Sequence, residues 1–167
     1  MPRLVVVLPL LPMRPGDGFP LRTWPLHLTV APTFVTDADT EAVGAAIAPV
    51  IAASPPVSVT AGAQEGFGPS GRVPVTVVVP TPPLTELHHA LSSALTTVGA
   101  VFDDPQYTGA GYRAHVTATA NDRLPTGKVA LLRQAALVDM EPVGPERLRQ
   151  VVWVAALAGA LRRATTA

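Results

Sequence analysis

The amino-acid sequence predicts an α+β fold of antiparallel strands and two helices. Short apolar runs rich in valine and leucine, separated by proline and glycine, indicate strands. Two longer stretches repeat their apolar residues at helical spacing, and each follows a pair of predicted strands. Because more strands follow the second helix, the order is not the regular alternation of a parallel α/β fold.

Composition limits the classes of function that the chain can have. Its 167 residues fit one domain, or two small lobes that share a core, and 48% of them are hydrophobic. Lysine plus arginine and aspartate plus glutamate balance at 12 each, so no global positive field exists to hold long nucleic acid. Cysteine is absent, which excludes disulfides, thiolate nucleophiles and cysteine-based zinc sites. This composition is compatible with a reducing cytoplasm, where we expect the protein.

The first third of the chain predicts two strands and a helix. Residues 4–10 are too short a run for a membrane span and are interrupted by Pro9, so we interpret them as a buried strand rather than a targeting segment. A loop at 15–18 leads to a second strand at 24–30. Thr36 is the expected cap of the helix that follows. The apolar stripe of this helix consists of Val43, Ile47, Val50 and Ile51.

The middle of the chain predicts two more strands and a second helix. The strands, at 57–60 and 73–79, flank a glycine-rich loop at 62–71. Thr81 is the expected cap of the helix, with Pro82 at its first position. The apolar stripe of the second helix consists of Leu84, Leu87, Leu91, Leu95 and Val98.

The last third of the chain predicts mainly strands. A polar loop leads into a strand at 112–119, and further strands at 135–140 and 150–157 flank a proline-rich turn. Residues 128–134 fit either a helical turn or a strand. The tail at 162–167 is expected to fray.

Two histidines, each followed two residues later by a threonine, are the strongest chemical signal. Side chains alternate along a strand, so His27 and Thr29 share one face while Leu28 points oppositely into a core. The same alternation applies to His115 and Thr117. An aromatic residue stands three positions before each histidine, and this repeat favours an internal duplication.

Paired imidazoles and hydroxyls suit the cleavage of a phosphodiester. A base must activate the attacking oxygen, an acid must protonate the leaving oxygen, and donors must surround the non-bridging oxygens. Histidine can fill both roles near neutral pH because its ordinary pKa is about 6.5. This scheme needs no metal or other cofactor, and we expect none. His88 and His89 point about 100° apart on a helix, so we interpret them as helix surface rather than a metal site.

The segments His27-Leu28-Thr29-Val30 and His115-Val116-Thr117-Ala118 resemble the paired His-x-Thr/Ser-x motifs of the 2H phosphoesterase superfamily. Its LigT-like branch, the RNA 2′,3′-cyclic phosphodiesterases or 2′-5′ RNA ligases, is the most similar. The resemblance implies one bilobal domain over residues 1–167, with pseudo-twofold symmetry. Each lobe then holds an antiparallel sheet with a helix, and a central cleft lies between the lobes. It also implies metal-independent hydrolysis of 2′,3′-cyclic phosphates.

The resemblance also implies roles for the motif residues. His27 and His115 become the acid and the base, with His27 favoured as the acid, and Thr29 and Thr117 become phosphate ligands. Two residues depart from the family pattern: Ala118 is smaller than the usual aliphatic residue that closes the second motif, and Ala114 stands where proline is expected. Neither departure changes the chemical groups of the motif.

Two further residues are candidates for substrate binding. Arg113 lies two residues before His115, so strand alternation places its guanidinium on the catalytic face, where it can bind a phosphate or stack on a base. The alternative is a solvated arginine at a strand end. Tyr107 lies in a loop near the predicted cleft and, like Phe67, is placed to cover a nucleobase.

The aromatic residues that precede the histidines have a different interpretation. Trp24 and Tyr112 stand three positions before His27 and His115, so in straight strands they point away from the catalytic face. We therefore expect both rings in a core rather than stacked on a base.

The predicted partner is an RNA end or a small nucleotide that carries a cyclic phosphate. Because the motif addresses phosphate rather than base, 2′-5′ linked or cyclic oligonucleotides are alternative substrates. A non-catalytic nucleotide-binding module of the same fold is a further alternative. An unrelated structural domain would require the paired motif to be accidental. We expect a monomer without a membrane or a protein partner.

Overall fold

Ten strands and two helices make up residues 1–161, the part of the chain that the structure, a computed structural model, describes. The tail at 162–167, predicted to fray, lies outside the described residues. In chain order the elements are β1 (Arg3–Pro9), β2 (Gly18–Pro20), β3 (His27–Val35), α1 (Thr40–Ala53), β4 (Val57–Phe67), β5 (Val73–Val78), α2 (Pro82–Thr96), β6 (Val101–Phe102), β7 (His115–Thr117), β8 (Val129–Leu132), β9 (Gln134–Asp139) and β10 (Leu148–Ala156). No helix within residues 1–161 is both long and apolar enough to cross a membrane.

The strands follow one antiparallel hydrogen-bonded path, which confirms the predicted α+β class. Their order is β2-β10-β9-β1-β3-β7-β5-β4-β8, with β6 paired to β3. The two predicted sheets correspond to the two halves of this path. They are joined where β3 meets β7, at the pairing of Leu28 with Val116.

The main core lies between the two helices and one face of the strands. It includes Leu4, Val6, Leu28, Ile47 and Leu91, all fully buried. Burying a side chain of this size contributes about 1.5–3 kcal/mol, so these contacts hold the helices to the sheet. A smaller apolar cluster covers the opposite face of the first half of the path, because alternate residues of a strand point to opposite faces. Its buried members are Val5, Val7, Met13, Ala136, Val138 and Val151.

The first helix begins later than the Thr36 cap predicts. Its cap is Asp39, whose carboxylate accepts a hydrogen bond of 2.8 Å from the Ala42 amide. An aspartate satisfies a free amide and also interacts favourably with the helix dipole, so it is preferred to the threonine. The Thr36 hydroxyl instead donates to the Val98 carbonyl at 2.5 Å. The second helix begins after Thr81 as predicted.

Several strand boundaries also differ from the prediction. β3 begins at His27 rather than at 24, and β7 covers only His115–Thr117 of the predicted 112–119. β4 continues through half of the predicted glycine-rich loop because β5 pairs with it beyond a register shift between Ala61 and Gln64. Two short strands, β2 and β6, have no counterpart in the prediction. The ambiguous stretch at 128–134 contains β8.

Candidate active site

Strands β3 and β7 lie next to each other and bring the two predicted motifs together. Leu28 of β3 pairs with Val116 of β7 in an antiparallel register, and both side chains are buried. Because side chains alternate along a strand, the residues on either side of this pair point to the opposite face. Antiparallel order also sets the histidine of each motif across from the threonine of the other. The four side chains on this face are those of His27, Thr29, His115 and Thr117.

Both imidazoles are held in the same orientation by the same local contact. The Nδ1 atom of His27 lies 2.8 Å from the Pro25 carbonyl, and that of His115 lies 2.8 Å from the Arg113 carbonyl. A carbonyl oxygen can only accept, so Nδ1 carries the hydrogen in each ring. Nε2 of each neutral ring therefore has a free lone pair that can accept a proton, and the protonated ring can later donate that proton.

Burial keeps both rings neutral in the ligand-free protein. It lowers the pKa of His27 to about 4, which the hydrogen bond to Pro25 opposes and the nearby His115 reinforces. Burial also lowers the pKa of His115. The hydrogen bond to the Arg113 carbonyl raises this pKa, and the positive charge of the Arg113 side chain lowers it further. A phosphate anion between the rings would reverse part of this effect, because a negative charge favours the protonated imidazole.

An aromatic ring packs against each histidine. The Trp24 ring lies 3.7 Å from the His27 ring between centroids, and the Phe67 ring lies 4.7 Å from the His115 ring. The expectation that Trp24 points away from the histidine is wrong, because the strand begins at His27 and alternation does not extend to the tryptophan. Its ring still packs against the smaller apolar cluster.

Arg113 lies at the border of this face. Its guanidinium is 3.1 Å from the Glu65 carboxylate and 5.1 Å from the centroid of the Phe67 ring. Its side chain is 55% exposed. Glu65 pairs with Val75 of β5, and Val75 pairs with Thr117 of β7. Because paired residues point to the same face of a sheet, Glu65 and its ion pair with Arg113 lie on the face of the two motifs.

Tyr107 lies in a short turn outside the sheet. It ends a single 3₁₀ turn at Pro105–Tyr107, and 56% of the residue is exposed. Within residues 1–161, its ring makes no aromatic contact with His27 or His115.

The prediction that His88 lies on the helix surface is wrong. The side chain is fully buried, and its ring stacks on the Tyr112 ring at 3.8 Å and an interplanar angle of 5°. Tyr112 packs against the main core, as predicted. The sequence does carry a signal for His88, which stands four residues after Leu84 and three before Leu91, on the apolar stripe of the helix. His89 is exposed, as predicted.

The described residues offer little for a metal. Within residues 1–161, no group of three histidine, cysteine, aspartate or glutamate side chains is arranged to hold a metal ion.

The antiparallel α+β fold is that of a 2H phosphoesterase. A family model described as the 2′-5′ RNA ligase superfamily matches residues 13–143, and the chain belongs to this superfamily. The resemblance to LigT-like 2H phosphoesterases that the motifs predict is thereby confirmed.

Solved structures share this fold. The chain is similar to a phosphoesterase, with 17% identity, a TM-score of 0.60 and coverage of 93% of this chain and 97% of that one. Similarity to E. coli LigT gives 16% identity, a TM-score of 0.57 and coverage of 93% and 96%. The chain is also similar to TT0787 of Thermus thermophilus, with 18% identity, a TM-score of 0.58 and coverage of 94% of this chain and 98% of that one. No curated protein sequence matches the chain.

Proposed function

We propose that the chain is a metal-independent phosphodiesterase that opens 2′,3′-cyclic phosphates on RNA ends or small nucleotides. The observation that carries this proposal is the pair of imidazoles on one sheet face, each with Nδ1 bound to a carbonyl two residues before it. Two rings with free Nε2 atoms, each beside a threonine hydroxyl, are the groups that general acid–base cleavage of a diester needs. In this proposal residues 1–167 act as one bilobal domain.

In the proposed reaction, water attacks phosphorus and the bond from phosphorus to the 3′ oxygen breaks. His115 takes the proton of the water, because its ring is the more exposed of the two. His27, buried against Trp24, gives its proton to the 3′ oxygen, which leaves a 2′-phosphate. The hydroxyls of Thr29 and Thr117 donate to the non-bridging oxygens.

The anionic substrate supplies the protonation state that this reaction needs. In the ligand-free protein the pKa values of both rings are lowered, so neither imidazole carries a proton for the leaving oxygen near pH 7. A diester anion beside His27 raises the pKa of that ring, and the acid is therefore charged when substrate binds. His115 stays neutral because the Arg113 charge opposes its protonation.

Small nucleotides are the substrate class that the observations favour. E. coli LigT, which shares the fold, has been solved in complex with NADP⁺, 3′-AMP and ATP. The balance of 12 basic and 12 acidic residues provides no extended field for a long strand. We assign Arg113 to phosphate or base binding and Tyr107 to covering the nucleobase.

The test is hydrolysis of nucleoside 2′,3′-cyclic phosphates with a chelator present. His27→Asn and His115→Asn should each lower kcat by on the order of 10²–10⁴, the usual effect of removing a positioned acid or base. His89→Asn is the matched control, because that histidine is exposed, and it should keep wild-type rates. The same assay includes 2′-5′ linked dinucleotides and cyclic dinucleotides. Wild-type rates for both motif variants on every diester would refute the proposal.

A further inference from the structure

His88 lies at the centre of a buried set of contacts that the proposed chemistry does not use. Its Nδ1 atom lies 2.8 Å from the Val30 carbonyl, and its Nε2 atom accepts a hydrogen bond of 3.0 Å from the Gly109 amide. The Tyr112 ring stacks on the imidazole, and its hydroxyl donates to the Thr29 carbonyl at 2.8 Å. We call these contacts the His88 network.

The network joins α2 to two segments that carry the proposed site. The imidazole belongs to α2, and the two carbonyls are those of Thr29 and Val30 on β3. The amide belongs to the loop that leads to β7, between Tyr107 and Arg113. Among the described residues, the ladder between β3 and β7 has one paired position, Leu28 with Val116. The network therefore supplements a short junction between the two motif strands.

The Val30 carbonyl needs this partner because the strand is irregular at that residue. The pairing of β1 with β3 passes from Val6 and Ala31 to Val7 and Thr29, which leaves Val30 as the extra residue of a bulge. A bulged residue has no partner in the ladder, and a buried carbonyl without a donor is costly. The imidazole supplies that donor, and so fixes the strand one residue after the threonine of the motif.

The network requires a neutral imidazole. Nδ1 must donate to a carbonyl, and Nε2 must be unprotonated to accept from the Gly109 amide. In a protonated ring the N–H at Nε2 would face the N–H of Gly109, and that hydrogen bond would be lost. Burial lowers the pKa of His88, the Val30 bond opposes this, and the neighbouring His89 reinforces it. Burial raises the pKa of Tyr112, so its phenol stays protonated and able to donate.

The loop on the far side of the network is shaped by glycine. Gly109 has a φ of 58°, in the left-handed region that glycine adopts without strain. A Cβ atom at Gly111 would lie 1.9 Å from the Gln106 carbonyl, so the chain can close this turn only with glycine. This conformation presents the Gly109 amide to the imidazole.

We propose that His88 and Tyr112 are positioning residues that hold the two His-x-Thr motifs at the separation that cleavage of a phosphodiester requires. This inference rests on the proposed function. Its premise is that the His88 ring holds Val30 and Gly109, while the Tyr112 ring stacked on it holds Thr29, so that loss of either ring's hydrogen bonds lets the two motifs shift. A misplacement of about 1 Å at a reacting centre can cost on the order of 100-fold in rate.

Three variants separate the contacts of the network. Tyr112→Phe removes only the hydrogen bond to the Thr29 carbonyl, and it should lower kcat for 2′,3′-cyclic AMP by about 10-fold. His88→Phe keeps an aromatic ring but loses both hydrogen bonds, and it should lower kcat by up to about 100-fold. His88→Gln restores a donor and an acceptor and should recover part of this loss. In each case KM should change by less than about threefold, because positioning acts on the transition state.

His89→Phe is the matched control, since it makes the same change at the neighbouring exposed position and should keep wild-type kcat and KM. Rates are referred to the folded fraction, which is measured by circular dichroism. Hydrogen exchange of the Gly109 amide should be faster in His88→Phe than in the wild type, and unchanged in His89→Phe. Wild-type kcat on the folded fraction of His88→Phe and Tyr112→Phe would overturn the inference and leave the network a purely structural contact.

The two proposals fail differently. If the wild-type chain hydrolyses no diester, the proposed function is wrong, and hydrogen exchange of the motif strands then tests the network instead. Faster exchange of the amides of His115–Thr117 in His88→Phe than in His89→Phe would support the role of the ring in holding the two motifs together. Equal exchange in the two variants would overturn it.

Discussion

The imidazole rings of His27 and His115 combine a fixed orientation with a lowered pKa. Their Nδ1 hydrogen bonds to carbonyls two residues earlier fix the orientation of each ring. Their burial removes the solvent that would stabilise a charge, so both pKa values are lowered. Each ring is thus held in a fixed orientation, in surroundings that favour its uncharged form.

The first prediction concerns the pH dependence of kcat/KM. Productive free enzyme needs one protonated and one neutral imidazole, a state that is most populated between the two macroscopic pKa values of the pair. Because both values are lowered from 6.5, the optimum of kcat/KM should lie below pH 6.5. The optimum of kcat should lie at higher pH, since bound phosphate raises the pKa of its neighbour. Initial rates across pH 4–9 test this, and an optimum of kcat/KM above pH 7.5 would contradict it.

The second prediction concerns stability in acid. The pKa of His27 is about 4 in the folded chain and 6.5 in the unfolded chain, so the unfolded chain binds a proton first as the pH falls. The contribution of the neutral ring is therefore complete above pH 6.5 and is lost progressively toward pH 4. Between pH 7.5 and 4.5 the wild type should lose about 2–3 kcal/mol more unfolding free energy than His27→Asn.

Urea unfolding of both proteins at these two pH values measures the difference. His88 is present in both proteins, so its effect cancels in the comparison, and that of His115 cancels apart from its coupling to His27. An equal loss in wild type and variant would mean that His27 is not the buried ring described above.

At the scale of the residue, the sequence predicts the four side chains of the motifs but not their surroundings. Alternation along a strand is a local property, which is why His27 and Thr29 could be placed on one face from the sequence. The contact of Phe67 with His115, and the ion pair of Arg113 with Glu65, depend on strand pairing between distant segments. No local pattern predicts that pairing.

Helix ends illustrate the same distinction at the scale of the element. The apolar stripe of α1 is visible in the sequence, but Thr36, Asp37 and Asp39, just before the helix, are all of the residue types that cap a helix. The Thr36 hydroxyl accepts a hydrogen bond of 3.1 Å from the Ala38 amide and donates to the Val98 carbonyl, 62 residues away. This tertiary contact holds Thr36 in the connection before the helix, and sequence alone places the boundary too early.

The third prediction tests the observed cap. Asp39→Ala removes the acceptor of the Ala42 amide and a charge at the positive end of the dipole, so it should lower the unfolding free energy by about 1 kcal/mol. Asp37→Ala is the control, because this nearby aspartate is not the cap. Denaturant unfolding of both variants gives the comparison, and kcat should be unchanged in both. A control variant destabilised as much as Asp39→Ala would argue against the cap.

At the scale of the whole molecule, one narrow junction brings the two motifs together. The strands β3 and β7 belong to different halves of the sheet path and meet at Leu28 and Val116. The repeated signature in the sequence predicted two similar halves, each with a helix. It could not predict that the halves share one continuous path, because a repeat describes each half and not the contact between them.

The central claim is that His27 and His115 act as one unit on one phosphate, and the kcat of the double variant tests it most directly. The single and double asparagine variants are compared with the wild type on 2′,3′-cyclic AMP. Two groups that serve one transition state are strongly non-additive, so the double variant should be about as slow as the slower single variant. Losses that multiply, so that the double variant falls by the product of the two single effects, would show that the histidines act independently and would contradict the claim.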